Sequence, residues 1–126
     1  VSASPAACDD ACQNNLYLQR QLRESMGREK ERVDWVWLVT DEGQPPETMR
    51  SALAHATVLR MPQAAVAQWL APAPGAQLAD HLYVVDPLGH WMMRFPARLG
   101  QGDAAKARKD LERLLRASTS WDKEGR

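Results

Sequence analysis

The chain has 126 residues, of which 44% are hydrophobic, and this suffices for one domain around a single core. Sixteen basic residues balance sixteen acidic ones, so no overall charge favours nucleic acid, anionic lipid or an acidic partner. No run reaches the roughly 20 apolar residues of a membrane helix, and no signal-peptide pattern is present. We expect one domain over residues 1–117, excised from a longer chain, and a polar, flexible tail over residues 118–126.

The first elements are a short strand and a helix. Pro5 stops a strand ladder and the small residues around it permit a sharp bend, so residues 1–7 are typical of the end of a shortened strand and a turn. From Cys8 the pattern becomes helical, with Asp9 or Asp10 available as the cap. We predict a helix over about Asp10 to Met26. Its apolar face carries Leu16, Leu18, Leu22 and Met26.

The middle of the chain alternates strands and short helices. Residues 33–40 are densely apolar and predict a buried strand, on which Trp35 and Trp37 share a face that fills the core. The Pro45-Pro46 pair predicts the start of a short helix over about Glu47 to Ala54. Three further segments are a short strand over 57–60, a helix over 63–70 and a Pro-rich break over 71–76.

The last third predicts a β-hairpin and a helix. Residues 81–85 and 91–95 have strand patterns on either side of the turn over 86–89. Residues 100–103 are expected to form a loop, with Asp103 capping a helix that runs to about Ala117. The order of elements predicts an α/β fold, a thioredoxin-like mixed sheet flanked by helices whose first strand is shortened.

The two cysteines of the chain, Cys8 and Cys12, lie four residues apart at the start of the first helix. Their Cα atoms are expected to be roughly 6 Å apart, within the range of a disulfide. The helix N-terminus lowers a thiol pKa, while the charges of Asp9 and Asp10 oppose this effect. The pair is consistent with a Cu(I) site, a redox dithiol or a structural disulfide.

The combination of Cys8–Cys12 at the first helix with Tyr83–Gly89 entering a hairpin resembles the Sco/SenC group of thioredoxin-fold copper chaperones. A closer similarity is to membrane-anchored bacterial Sco-like proteins associated with cytochrome c oxidase assembly. The similarity covers about residues 8–40 and 80–117. The segments that match are Cys8–Cys12, Leu16–Gln21, Gly27–Glu29, Arg32–Val33 and Leu82–Pro96.

This resemblance implies a domain on the periplasmic side of the inner membrane, held by an N-terminal anchor outside the sequence. It implies that Cys8 and Cys12 bind and deliver Cu(I), or reduce the thiols of a partner, which is a cytochrome c oxidase subunit or another assembly factor. Sco proteins use a histidine as third copper ligand, but Leu78 stands at that place here. His81 is the nearest candidate; its alternative is a partly exposed histidine at a strand end.

The sequence is also compatible with two other functions. One is a general thiol-disulfide oxidoreductase, an enzyme in which Cys8 is the nucleophile and Cys12 resolves the mixed disulfide. No proline precedes the strand that begins at His81, although many thioredoxin-type oxidoreductases have one there. The other is an interaction module in which the disulfide only stabilises the fold.

Overall fold

The computed structural model describes residues 1–96 and 101–117, with five strands and three α-helices in these parts. The strands are β1 (Ser2–Ser4), β2 (Val36–Val39), β3 (Thr57–Arg60), β4 (Tyr83–Val85) and β5 (Trp91–Arg94). The helices are α1 (Asp10–Glu24), α2 (Gln63–Trp69) and α3 (Gln101–Ala117). Three short 3-10 helices cover Gly27–Arg32, Glu47–Met49 and Leu78–Asp80.

The strands form a three-stranded parallel sheet and a two-stranded hairpin, and one pair of backbone hydrogen bonds joins them with β1 in the middle. Strands β1, β2 and β3 pair in parallel in that order, while β4 and β5 form an antiparallel hairpin. The nitrogen of Val1 donates to the Tyr83 carbonyl at 2.7 Å, and the Tyr83 amide donates to the Val1 carbonyl at 2.8 Å. Such a reciprocal pair is the antiparallel pattern, so β1 lies between β2 and β4.

The two faces of β2 have different partners because successive strand side chains point in opposite directions. Trp37 is fully buried and lies with Trp35 in a cluster that includes Leu16 of α1 and both cysteines. Leu38 points the other way and packs in a second cluster with Val66 of α2. The prediction that the two tryptophans fill the core is therefore confirmed, and the sheet has helices on both faces.

Helix α1 begins as predicted and ends two residues earlier than expected. The Asp9 side chain caps it, since its Oδ1 accepts the Cys12 N–H at 2.9 Å. Its buried residues Leu18 and Leu22 pack in a cluster with Phe95, beyond β5, and Ala107 of α3. The hairpin and α3 therefore hold α1 in place against the sheet.

The hairpin strands are shorter than predicted, over Tyr83–Val85 and Trp91–Arg94, and three other predicted segments differ from the structure by three residues or more. The helix expected over residues 47–54 is a 3-10 helix over Glu47–Met49 followed by turns, in which the Leu53 N–H is shared between the carbonyls of Met49 and Arg50. The second strand, predicted over residues 33–40, covers only Val36–Val39, because its pairing extends over three residues of β1 and four of β3. Helix α3 already includes residues 101–103, so Asp103 lies within it, whereas Gly100 and residues 118–126 lie outside the described residues.

The turn of the hairpin is organised by one carboxylate. Asp86 Oδ1 accepts the N–H groups of His90 at 2.8 Å and Leu88 at 2.9 Å, and Asp86 Oδ2 lies 3.1 Å from His90 Nδ1. These bonds hold the pKa of Asp86 below its ordinary value of 3.8, and the bond from the His90 backbone contributes most to this lowering. The folded state therefore prefers the carboxylate more strongly than the unfolded chain does.

This preference makes the hairpin turn sensitive to acid. The contribution of Asp86 to stability is complete above the ordinary pKa and is lost as the pH falls through the lower folded-state pKa. We expect Asp86→Asn to lower the free energy of unfolding near neutral pH, and the difference from the parent chain to vanish in acid. Urea unfolding at several pH values measures this. His90→Ala keeps both backbone donors and should retain most of the pH dependence; equal loss in both variants would contradict the assignment.

Candidate functional site at the start of helix α1

Cys8 and Cys12 form a disulfide across the first turn of α1, with their Cα atoms 5.0 Å apart. Cys8 has a φ of +47°, in the left-handed region that non-glycine residues seldom adopt. Its N–H donates to the Pro5 carbonyl at 3.2 Å, which closes the turn between β1 and α1. The predicted proximity of the two sulfur atoms is thus found, in oxidised form.

Both cysteines are buried, although the residues beside them are not. Cys8 is 3% exposed and Cys12 is 5% exposed, whereas Ala7, Asp9 and Ala11 lie at the surface. Cys8 lies in the turn itself, between the exposed residues Ala7 and Asp9, but its own side chain points into the core. A large reagent therefore reaches the sulfur atoms only after the turn has moved.

A second loop holds this turn. Asp41 Oδ1 accepts the Ala6 N–H and the Gly43 N–H, each at 3.1 Å. A Cβ atom added to Gly43 would lie 3.2 Å from the Ala6 Cβ, so the two loops are in close contact. The loop after β2 therefore holds the start of the cysteine turn at Ala6.

A buried hydrogen-bonded chain reaches the second cysteine from two strands. Ser4 Oγ of β1 lies 3.0 Å from Cys12 Sγ, and Trp37 Nε1 of β2 lies 2.8 Å from Ser4 Oγ. Ser4 is 5% exposed and Trp37 fully buried. Sequence analysis missed Ser4, because no local pattern indicates a contact that depends on the pairing of β1 with β2.

His81 does not lie at a partly exposed strand end, and that expectation is wrong. The residue is 2% exposed; its Nε2 accepts the Ala73 N–H at 3.1 Å and its Nδ1 lies 2.8 Å from the Phe95 carbonyl oxygen. Because a carbonyl only accepts, Nδ1 carries the proton. Both ring nitrogens are therefore occupied by the backbone, and Leu78 is a buried core residue.

The described residues contain no group of three or more His, Cys, Asp or Glu side chains arranged to hold a metal ion. The structure brings Cys8 and Cys12 together and does not bring His81 into such a group with them. Reduction of the disulfide would supply two sulfur ligands, which suit Cu(I). The hydrogen bonds of His81 do not fit a third ligand in this conformation.

A central strand that leads through a tight turn to a disulfide at a helix start, with a late antiparallel hairpin, defines a thioredoxin-like domain. Residues 1–118 match the family described as "Transmembrane-like, thioredoxin-like, C-terminal domain", and the chain belongs to this family. No curated protein and no solved structure matches the chain. The fold and the Cys8–Cys12 disulfide together indicate a redox or disulfide-related role.

Across residues 1–96 and 101–117, none of the helices combines the length and the apolar character needed to cross a bilayer.

Proposed function

We propose that this domain carries out reversible thiol-disulfide exchange with a cysteine-containing protein outside the cytoplasm. The observation that carries the proposal is the disulfide between Cys8 and Cys12 across the first turn of α1. A helix N-terminus favours a thiolate there, which helps departure of sulfur, while the Asp9 carboxylate that caps the helix at the Cys12 N–H opposes this effect. We place the exchange outside the cytoplasm because disulfides form and persist in oxidising compartments.

The exchange proceeds in two displacements. A partner thiolate attacks Cys8 Sγ, the bond to Cys12 breaks, and Cys12 departs with the electron pair as a thiolate. A second partner thiolate then attacks the partner sulfur of the mixed disulfide and releases Cys8. The partner dithiol loses two electrons and becomes a disulfide, while the domain gains them as two thiols; the reverse sequence reduces a partner.

Cys8 is the sulfur that we assign to the mixed disulfide. It lies in the turn, between the exposed residues Ala7 and Asp9, whereas Cys12 lies within α1 and contacts Ser4 of the central strand. Opening of the turn therefore exposes Cys8 before Cys12.

The resemblance to Sco-like proteins narrows the proposed partner. We assign the partner to cytochrome c oxidase assembly, as an oxidase subunit or another assembly factor with a cysteine pair. The domain then works at the periplasmic side of the bacterial inner membrane, held by an N-terminal anchor. Support for this step comes from the Cys8–Cys12 spacing and the Tyr83–Gly89 hairpin segment.

A trapping experiment with glutathione disulfide tests the exchange. Cys12→Ala leaves Cys8 as the only thiol and is expected to accumulate a mixed disulfide with glutathione in the folded state, measured by intact-protein mass spectrometry. Cys8→Ala is the matched control and should react at least about tenfold more slowly, because the remaining sulfur of Cys12 lies within α1 and contacts Ser4 rather than lying in the turn. Reaction of Cys8 only in denaturant would refute exchange and leave the disulfide a structural link.

Delivery of Cu(I) is a second candidate, which the proximity of the two sulfur atoms favours. After reduction, the thiolates of Cys8 and Cys12 would hold the ion as cargo, and two sulfur ligands suffice for Cu(I). An anaerobic titration of the reduced chain against a competing chelator measures the affinity. One-to-one binding that Cys8→Ser abolishes supports delivery, whereas failure to compete with the chelator removes it.

A further inference from the structure

The direction of the hydrogen bonds around Ser4 is fixed by chemistry. The indole Nε1 of Trp37 only donates, so Ser4 Oγ is the acceptor in their 2.8 Å contact. The sulfur of Cys12 carries no hydrogen while it is part of the disulfide. The 3.0 Å contact between Ser4 Oγ and Cys12 Sγ is therefore a hydrogen bond from the hydroxyl to the sulfur. The single hydroxyl proton of Ser4 points at Cys12.

We infer that Ser4 is a positioning residue that stabilises Cys12 as the departing thiolate, an inference that rests on the proposed exchange. When the S–S bond breaks, negative charge develops on the sulfur that already accepts this proton. A charge-assisted hydrogen bond is about twice as strong as a neutral one, and burial keeps water from competing for the sulfur. Trp37 holds the hydroxyl in this orientation.

This arrangement gives the two sulfur atoms different roles. Cys12 is the better leaving group because Ser4 stabilises its thiolate, and a more stable leaving thiolate departs faster. Cys8 has no equivalent side-chain donor among the contacts described, since its carbonyl, not its sulfur, accepts from Gln13. Partner thiolates are therefore directed to Cys8.

The reduction equilibrium of the two-cysteine chain in glutathione buffers tests this inference. At about pH 8.5, the ordinary pKa of a cysteine thiol, Ser4→Ala is expected to lower the equilibrium constant for reduction about tenfold, which corresponds to about 30 mV. The fraction reduced is measured by alkylation and mass spectrometry. A merely structural role would destabilise the oxidised and reduced forms alike and leave this constant unchanged.

Ser2→Ala is the matched control. Ser2 lies on the same strand and the same face as Ser4, is 3% exposed, and its hydroxyl has no hydrogen-bond partner in the described part of the chain. Its removal should leave the equilibrium constant unchanged, while Ser4→Thr should preserve the parent value by retaining the hydroxyl. An equal effect of Ser2→Ala and Ser4→Ala, or no effect of either, would overturn the inference.

The two proposals fail in different ways. If Cys8 is not trapped by glutathione disulfide in the folded state, the exchange function fails, yet the reduction equilibrium still reports on Ser4. If Cys8 is trapped but Ser4→Ala leaves the equilibrium unchanged, the exchange function stands and the role of Ser4 is refuted.

Discussion

Replacement of Trp37 by alanine is expected to reduce the free energy of unfolding by about 4 kcal/mol, the range for a fully buried tryptophan. The side chain is 0% exposed and packs among Leu16, Val39 and the two cysteines. Its removal leaves a cavity that the strand backbone cannot close. Since small domains are stable by about 5–15 kcal/mol, this one change removes a large part of the total. Urea unfolding followed by circular dichroism measures it.

The Trp37→Phe variant separates the contribution of packing from that of the hydrogen bond, and Trp69→Ala is the control for Trp37→Ala. Trp37→Phe keeps most of the ring volume but loses the donor to Ser4, so we expect a smaller loss of about 1–2 kcal/mol. Trp69→Ala is the control for tryptophan content, because Trp69 is only partly buried at the end of α2. A loss for Trp37→Ala no larger than that for Trp69→Ala would contradict the central position of Trp37.

The Trp37→Ala variant also tests the proposed chemistry of the disulfide. Trp37 contacts the cluster that encloses the disulfide, and it orients the Ser4 hydroxyl toward Cys12. We therefore expect glutathione to reduce the disulfide faster in Trp37→Ala, because the sulfur atoms are less shielded. The equilibrium should nevertheless move against the reduced form, as in Ser4→Ala. A faster rate of reduction would report the loss of shielding. A smaller reduced fraction at equilibrium would report the loss of the oriented hydrogen bond.

The sequence predicted correctly those elements that depend on residues close together in the chain. The start of α1 follows from its Asp9 cap and its four-residue apolar spacing, and β3 has the predicted bounds over Thr57–Arg60. The shared face of Trp35 and Trp37 follows from strand alternation. In each case the controlling residues lie within a few positions of one another, so one stretch of sequence contains the information.

The features that sequence analysis missed depend on distant partners. Ser4 and Trp37 are separated by 33 positions and meet only because β1 and β2 pair in register. His81 is buried because its partners, Ala73 and Phe95, come from a Pro-rich loop and from the end of the hairpin. A histidine at a strand end has the same local pattern whether or not such backbone groups surround it. Tertiary contacts therefore decided its environment.

His81→Ala is expected to reduce the free energy of unfolding by about 3 kcal/mol, because it leaves two backbone groups without their partners. The Phe95 carbonyl would lose the Nδ1 donor and the Ala73 N–H would lose the Nε2 acceptor. The ring also packs edge-on against Tyr83 at 5.9 Å between centroids. Urea unfolding of the oxidised chain measures the loss, with His55→Ala as an exposed-histidine control that should change stability by less than about 0.5 kcal/mol.

The same pair of variants decides what His81 contributes to Cu(I) binding. Since backbone groups occupy both ring nitrogens, we expect His81→Ala to leave the Cu(I) affinity of the reduced chain within about threefold of the parent value, even as stability falls. A ligand would behave in the opposite way, because removing one donor from a three-ligand site weakens binding by far more than threefold. A tenfold or greater loss of Cu(I) affinity, with His55→Ala unaffected, would mean that copper withdraws His81 from its backbone bonds and that the site is assembled only when the metal is present.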